Sequence, residues 1–198
     1  MSLALFPLNT VLFPGCNLDL QIFEPRYLSL ISRCMKQNSS FGVVCIVDGA
    51  EVGAAAAELA AVGCEALIRD FQQLPNGLLG IRVIGGRRFR VERAQVLADQ
   101  LTMAEVQWLD EPPALPLDAE HDDLLALLGA LSAHPMVASL GLPSPVADQH
   151  GLLNQLAYLL PLDSQRKVQL LAMDDIDAGL QLLQQLLEQL QAGVSAGT

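Results

Sequence analysis

The sequence predicts an α+β fold, with a strand-rich amino-terminal part, a proline-rich linker and a helical carboxy-terminal part. Three observations carry this. From Met1 to about Asp110, short apolar runs are broken by turn residues, the pattern of strands and hairpins. Next comes Glu111-Pro112-Pro113-Ala114-Leu115-Pro116, whose prolines exclude both a helix interior and a central strand. Beyond the linker, leucines recur at helical spacing, and the charge balance shifts at the same place. Residues 1–110 hold 9 basic and 11 acidic groups, a difference of −2, whereas residues 111–198 hold 2 and 11, a difference of −9. The reading is therefore a β subdomain over 1–110, a linker over 111–117 and a helical bundle over 118–198.

Taken in order, the first helix begins at Pro25, because proline suits the first helical position, with Glu24 at the positive end of the helix dipole. It carries Tyr27, Leu28, Leu30, Ile31 and Met35 towards a core and stops at Asn38. Phe41 to Val47 is a continuous apolar run rich in β-branched residues, as in a strand buried on both faces. Gly53 to Ala61 has helical propensity, but it sits between two strand signals, and a loop feeding a strand that starts at Val62-Gly63-Cys64 is the favoured reading over a helix. Leu74-Pro75-Asn76-Gly77 has the chemistry of a tight turn, so Glu65–Leu74 and Leu78–Ile84 form a hairpin. Gly85-Gly86 reads as the next reversal. After it Phe89 and Val91 face a core while Arg88, Arg90 and Glu92 face water, and a further strand runs from Leu101 to Trp108. Helices follow over Asp118–Ser132, Ala147–Leu160 and Asp163–Met173, with Asp163 and Asp174 as N-caps. The last helix places Ile176, Leu180, Leu183, Leu187 and Leu190 on one stripe. Packing against neighbouring helices is the default for such a stripe, and a homodimer contact is the alternative.

Composition narrows the function classes. A chain of 198 residues, 52% apolar and 17% charged, has enough material for a genuine core. Its net charge of −11 repels polyanions, so nucleic acid is a poor partner. Cys16, Cys34, Cys45 and Cys64 form no Cys-x-x-Cys pair, and buried reduced thiols are expected. His121, His134 and His150 lack the i, i+4 spacing of helical metal ligands; surface positions and no metal are expected. No apolar run reaches the length of about 18 that a membrane helix needs, and the start lacks a basic leader region, so a cytoplasmic protein without membrane association is expected. No Gly-x-Ser-x-Gly elbow and no acid–base pair stands out, and Glu120, Asp122 and Asp123 are satisfied by a helix dipole. No catalytic residue and no cofactor is expected.

Several motifs in one order resemble a known family. Phe6-Pro7-Leu8, Val11-Leu12-Phe13-Pro14-Gly15, Leu18, Leu20 and Ile22-Phe23-Glu24-Pro25-Arg26-Tyr27 are similar to the opening of the Lon protease amino-terminal, substrate-binding domain. Phe41-Gly42-Val43-Val44, Val62-Gly63-Cys64-Glu65-Ala66, Leu74-Pro75-Asn76-Gly77, Gly86-Arg87-Arg88-Phe89-Arg90-Val91, and Ala104-Glu105-Val106 with Trp108 look like its later landmarks. Leu156-Ala157-Tyr158-Leu159-Leu160-Pro161-Leu162 and Lys167-Val168-Gln169-Leu170-Leu171 extend the likeness into the helices. One departure lies in the last helix, where the family often has an arginine before a leucine and this chain has Gly179-Leu180. The resemblance implies a PUA-like β-barrel followed by a helical bundle, and a stand-alone member that recognises unfolded or specific client proteins and peptides; a small-molecule-binding or enzymatic role in the barrel cleft is the alternative, ahead of RNA binding by analogy with the PUA-like fold. It also implies a member without ATPase or protease modules, since no Gly-x-x-x-x-Gly-Lys-Ser/Thr phosphate loop is present.

Phe13, Phe23, Glu24, Arg26, Tyr27 and Arg88 are the candidate peptide-binding residues. Arg26 with Tyr27 offers a charged fork and an aromatic plane, although the same motif also serves as a scaffold that opens a helix. A groove between barrel and bundle, or an exposed strand edge, is where a segment would lie. Arg87, Arg88, Arg90 and Arg93 around Phe89 form a basic cluster that strand alternation explains without RNA.

Overall fold

The computed structural model describes residues 1–195 and has the expected α+β class. Its first half comprises β1 (Ser2–Leu8), β2 (Asn17–Ile22), α1 (Pro25–Gln37), β3 (Phe41–Asp48), β4 (Glu58–Gln73), β5 (Leu79–Val96) and β6 (Thr102–Trp108). The strand order is β2-β5-β4-β3-β1-β6, and β5 also pairs with β6. Five strands thus close a barrel, and β2 is added outside it on β5. The two roles of β5 follow from its length of 18 residues: Leu79–Ile84 pairs with β2, and Phe89–Val96 pairs with β6. The β4–β5 hairpin turns at Leu74–Leu78 as its residues predict.

Gly85-Gly86 makes no reversal, because β5 runs straight through it. The glycines answer a different need. The Gly85 N–H donates to the Cys16 carbonyl and its carbonyl accepts from the Gly15 N–H, both at 2.9 Å. A Cβ on Gly85 would lie 2.0 Å from the Phe13 carbonyl oxygen. The Phe13–Cys16 backbone crosses β5 there, and only glycine lets it come so near.

Helix α1 ends where expected, with Asn38 in the left-handed region and its N–H donated to the Cys34 carbonyl. Its buried face is Arg26, Tyr27, Leu30, Ile31 and Cys34. Leu28 and Met35, expected inside, are each 40% exposed, because the sheet covers only the stripe centred on Leu30 and Ile31. Strand β3 is buried from Phe41 to Ile46 between β1 and β4, as expected, and β4 begins at Glu58, four residues ahead of the sequence expectation at Val62.

The second half holds a 3-10 turn (Ala119–His121), α2 (Asp122–Ser132), α3 (Pro135–Ala138), α4 (Gln149–Leu159), α5 (Ser164–Leu171) and α6 (Ile176–Ser195). The short α3 was not foreseen. Asp163 caps α5 by accepting from the Arg166 N–H, as expected. Asp174 caps nothing; Asp175 accepts from the Ala178 N–H at 3.0 Å instead, and Asp174 turns towards Arg88. In α6 the buried stripe is Ile176, Leu180, Leu183 and Leu186, with Leu187 and Leu190 half-buried. Gly179 brings α6 against α4, where a Cβ would lie 2.6 Å from Leu153 Cδ2.

Two apolar clusters result. One lies between α1 and the sheet, around Phe6, Tyr27, Ile31, Phe41, Ile81 and Val83. The other joins Leu3, Phe13, Val62 and Phe89 of the barrel half to Leu124, Leu152, Leu156, Leu171 and Leu183 of the helices. All four cysteines are buried and free, as expected. Burial pushes the Cys16 thiol up to about 12.

Candidate functional site

The six flagged residues fall into three places. Phe13 is wholly inside the cluster that joins barrel and helices. Arg88 is 1% exposed, beneath the end of α5. Phe23, Glu24, Arg26 and Tyr27 stay together at the junction of β2 and α1, where only Phe23, 49% exposed, projects freely.

Arg26 and Tyr27 form the scaffold of that corner. The Tyr27 ring stacks on Phe6 with centroids 4.0 Å apart, and the Arg26 guanidinium lies 4.7 Å over the Tyr27 ring. Arg26 donates to the Gln100 carbonyl at 2.9 Å and pairs with Glu24 at 3.0 Å. This tie fixes Glu24 and, next to it, Phe23.

Beside Phe23 opens a cleft of about 160 Å³, room for one large side chain. Phe6 and Tyr27, both buried, form its floor, and Leu8, Leu20, Phe23 and Val52 line the rest together with Asp19, Gln21, Glu24 and Glu51. Val52 is 57% exposed. Glu51 is anchored by the Asn9 N–H, which donates to its Oε1. Sequence reading flagged Phe23, Glu24 and Tyr27 but not Leu20, Glu51 or Val52; the one local signal was the pair Glu51-Val52 in a loop otherwise made of Gly and Ala.

The cleft borders an open strand edge. Because the Cys16 carbonyl accepts from the Gly85 N–H, ladder alternation directs Leu18, Leu20 and Ile22 to β5, and turns the backbone groups of Asn17, Asp19 and Gln21 outward. The Asn17 carbonyl meets the Tyr158 hydroxyl at 2.7 Å. Asp19 and Gln21 have no outward backbone partner among the described residues. The Asp19 side chain makes a two-pronged pair with Arg82, at 2.6 and 2.7 Å, which holds its carboxyl below the usual range.

Arg88 overturns the expectation of a wet face. Its guanidinium donates to the carbonyls of Leu171 (3.1 Å), Met173 (2.7 Å) and Asp110 (3.2 Å) and to Asp174 Oδ1 (3.0 Å), leaving Nε without a partner. Alternation does send Arg88 out of the barrel, but the end of α5 and the loop that follows it cover that face. The cation therefore terminates α5 by binding its carbonyl end. His121 also departs from its expected surface position: it is buried, with Nδ1 2.7 Å from Asp118 Oδ1. His150 is half-buried, and burial holds its imidazole below the usual range; His134 is exposed and accepts from the Met136 N–H. Among the described residues no group of His, Cys, Asp and Glu could hold a metal ion, and no helix is long and apolar enough to cross a membrane.

A second hollow, about 370 Å³, opens between α2, α3 and the 141–146 loop. Its lining of Leu125, Leu128, Val137, Leu142 and Val146 offers no charged group.

The chain thus combines a barrel, an added edge strand beside a cleft, and a helical cap. Residues 2–189 match the family described as the ATP-dependent protease La (LON) substrate-binding domain, and the chain belongs to that family. Among solved structures it is similar to a Lon N-terminal domain protein from Xanthomonas campestris, with 36% identity and a TM-score of 0.75, covering 95% of this chain and 98% of that one. The N-terminal domain of a Mycobacterium avium complex Lon protease shares the fold at a TM-score of 0.68, with 18% identity over 92% of this chain and 96% of that one. Protein cereblon of Danio rerio is 29% identical over 101 residues, 51% of this chain, and the matched part is 23% of that protein's length.

Proposed function

We propose that this chain is a non-catalytic module that holds an extended segment of another protein. The segment lies along the open edge of β2 and places one large apolar side chain in the cleft between Phe23 and Val52. Membership of a substrate-binding family supports the reading. The observation that carries it is the unpaired backbone of Asp19 and Gln21 beside a cleft of single-side-chain size whose apolar lining is Phe6, Leu8, Leu20, Phe23, Tyr27 and Val52. Main-chain bonds to an edge supply affinity without sequence demands, and the cleft supplies preference. Glu24 and Arg26 act here by fixing Phe23, and Tyr27 by flooring the cleft; Phe13 and Arg88 act only by supporting the fold.

Photo-crosslinking from position 52 to a reduced, unfolded carrier protein tests this. Crosslinks to apolar segments are expected, and Phe23→Ser should weaken capture about tenfold, the loss of one well-buried aromatic contact. Equal capture by wild type and Phe23→Ser would sink the cleft as the seat.

A further inference from the structure

We infer that the hollow between α2, α3 and the 141–146 loop is a binding site for a small neutral molecule, one with an apolar body and a single N–H or O–H donor, such as an amide or an alcohol. The hollow lies in the helical half and shares no residue with the cleft beside β2.

Two residues, one on α2 and one on α4, depart from the pattern around them, and both line this space. In α2, Leu125, Leu128, Gly129 and Ser132 follow the i, i+3, i+4, i+7 spacing of one helical face, and that face is a wall of the hollow. Glycine inside a helix weakens it relative to alanine. Neither packing nor backbone conformation requires one at 129, because an added Cβ would meet no atom within 4 Å and its φ is not positive. Every other glycine among the described residues with such open space has a positive φ. An alanine would fit at 129, and it would narrow the hollow.

The second residue is Gln155. It sits in α4 among the buried Leu152, Leu153 and Leu156 and is itself only 5% exposed. Its Nε2 donates to the Pro143 carbonyl at 2.9 Å, which fixes the nitrogen on that side and leaves the amide oxygen on the other. Among the described residues that oxygen accepts no hydrogen bond, and it is not sealed away. An amide so deeply placed with its acceptor unused costs free energy until a donor meets it, and the hollow is the space from which one can come. Water can satisfy the oxygen, but water gains nothing from an apolar chamber that a glycine keeps open.

The lining selects the occupant. A volume of about 370 Å³ falls in the range of about 300–1,000 Å³ usual for small-molecule sites. No charged side chain lines the space, so a carboxylate or an ammonium would lose its hydration and find no counterion. A hydrocarbon would match Leu125, Leu128 and Val137 yet leave the Gln155 oxygen unpaired. A neutral molecule that carries one donor on an apolar body satisfies both. A single aliphatic side chain from a partner protein would bring no donor to Gln155.

NMR of the isotope-labelled full chain, titrated with benzamide, toluene, benzoate and benzylammonium, tests the inference. Benzamide is expected to bind with a Kd on the order of 1 mM and to shift the backbone amides of Gly129, Val137 and Leu142. Benzoate and benzylammonium, the same ring with either charge, should bind at least about tenfold more weakly. Gln155→Met, close in shape but without the amide, should weaken benzamide about tenfold and leave toluene unchanged. A merely structural role for Gln155 would weaken both alike. Gly129→Leu should fill the hollow and abolish binding of both, while raising the thermal midpoint because a helix glycine is replaced. Gly129→Ala, with smaller effects of the same sign, serves if leucine does not fit. Phe23→Ser, which disables the other cleft, leaves every probe as it was. Absence of benzamide binding, equal binding of a charged probe, or binding that survives Gly129→Leu overturns the proposal. So does a benzamide-to-toluene ratio unmoved by Gln155→Met, which would make the hollow a general apolar seat for a partner's side chain. Sedimentation in which Gly129→Leu abolishes self-association overturns it as well, because a second copy would then be the occupant.

Discussion

The apolar cluster under α1 draws all its members from the strand-rich half and α1, whereas the leucines of the helical half are buried only together with Leu3, Phe13, Val62 and Phe89 of the barrel half. The difference teaches a direction of dependence. The barrel can bury Phe6, Phe41 and Ile81 without the helices, while the helices have no interior apart from the one they share. Arg88 is the polar counterpart of that sharing, since it binds carbonyls at the end of α5 from a strand of the barrel.

The comparison is broken or sharpened by a graded set of changes. Gly85→Ala should be the most severe, costing about 4 kcal/mol or more, because the added Cβ meets backbone rather than a movable side chain. Failure to fold, or a midpoint shift of that size in urea, is the expected result; a near-neutral change would show that the Phe13 crossing can move. Leu156→Ala, at a fully buried position in α4, should cost about 3 kcal/mol. Hydrogen exchange should then quicken in α4–α6 and leave β3 and β4 protected. Arg88→Ala should cost about 2–3 kcal/mol by stranding carbonyls under the helices, and should open the same region first. If β4 and β5 exchange as early as α5, the dependence runs both ways. Tyr158→Phe, which frees the Asn17 carbonyl, should cost about 1 kcal/mol.

A further effect is confined to alkaline pH and is absent near neutrality. The buried Cys16 thiol titrates near 12, above its ordinary 9.0, so the folded chain keeps a proton that the unfolded chain releases. Stability is therefore complete below pH 9 and declines as pH rises from 9 towards 12. Cys16→Ala should make that alkaline limb shallower, the remainder coming from Cys64 and Tyr158, which burial also pushes up. Thiol reagents at pH 8 should label the native chain slowly and the denatured chain fully, and rapid native labelling of Cys16 would contradict its burial.

Much of the fold was legible where chemistry is local. Pro25, Asn38 and Leu74-Pro75-Asn76-Gly77 specify their own conformations, and the structure follows them. Reading failed where a distant element decided the outcome. Glycine signals a turn and a close crossing with the same letter, and only the approach of Phe13 separates the two at Gly85. Strand alternation located the outer face holding Arg88 but not the helices that cover it, which lie more than 80 positions further along the chain. At the candidate site, Phe23, Glu24, Arg26 and Tyr27 were legible as one run, whereas Val52 and Leu20 join them only through the folding of β2 against the loop.

The bonds at Asn17 have a mechanical side. Its side-chain amide donates to the carbonyls of Leu140 and Gly141 and its own carbonyl holds Tyr158, so the root of β2 is riveted to the helical block. A chain seated along β2 and pulled from outside would strain these rivets and the Asp19–Arg82 clasp together. The strand would then yield by sliding against all of them at once rather than by peeling one bond at a time.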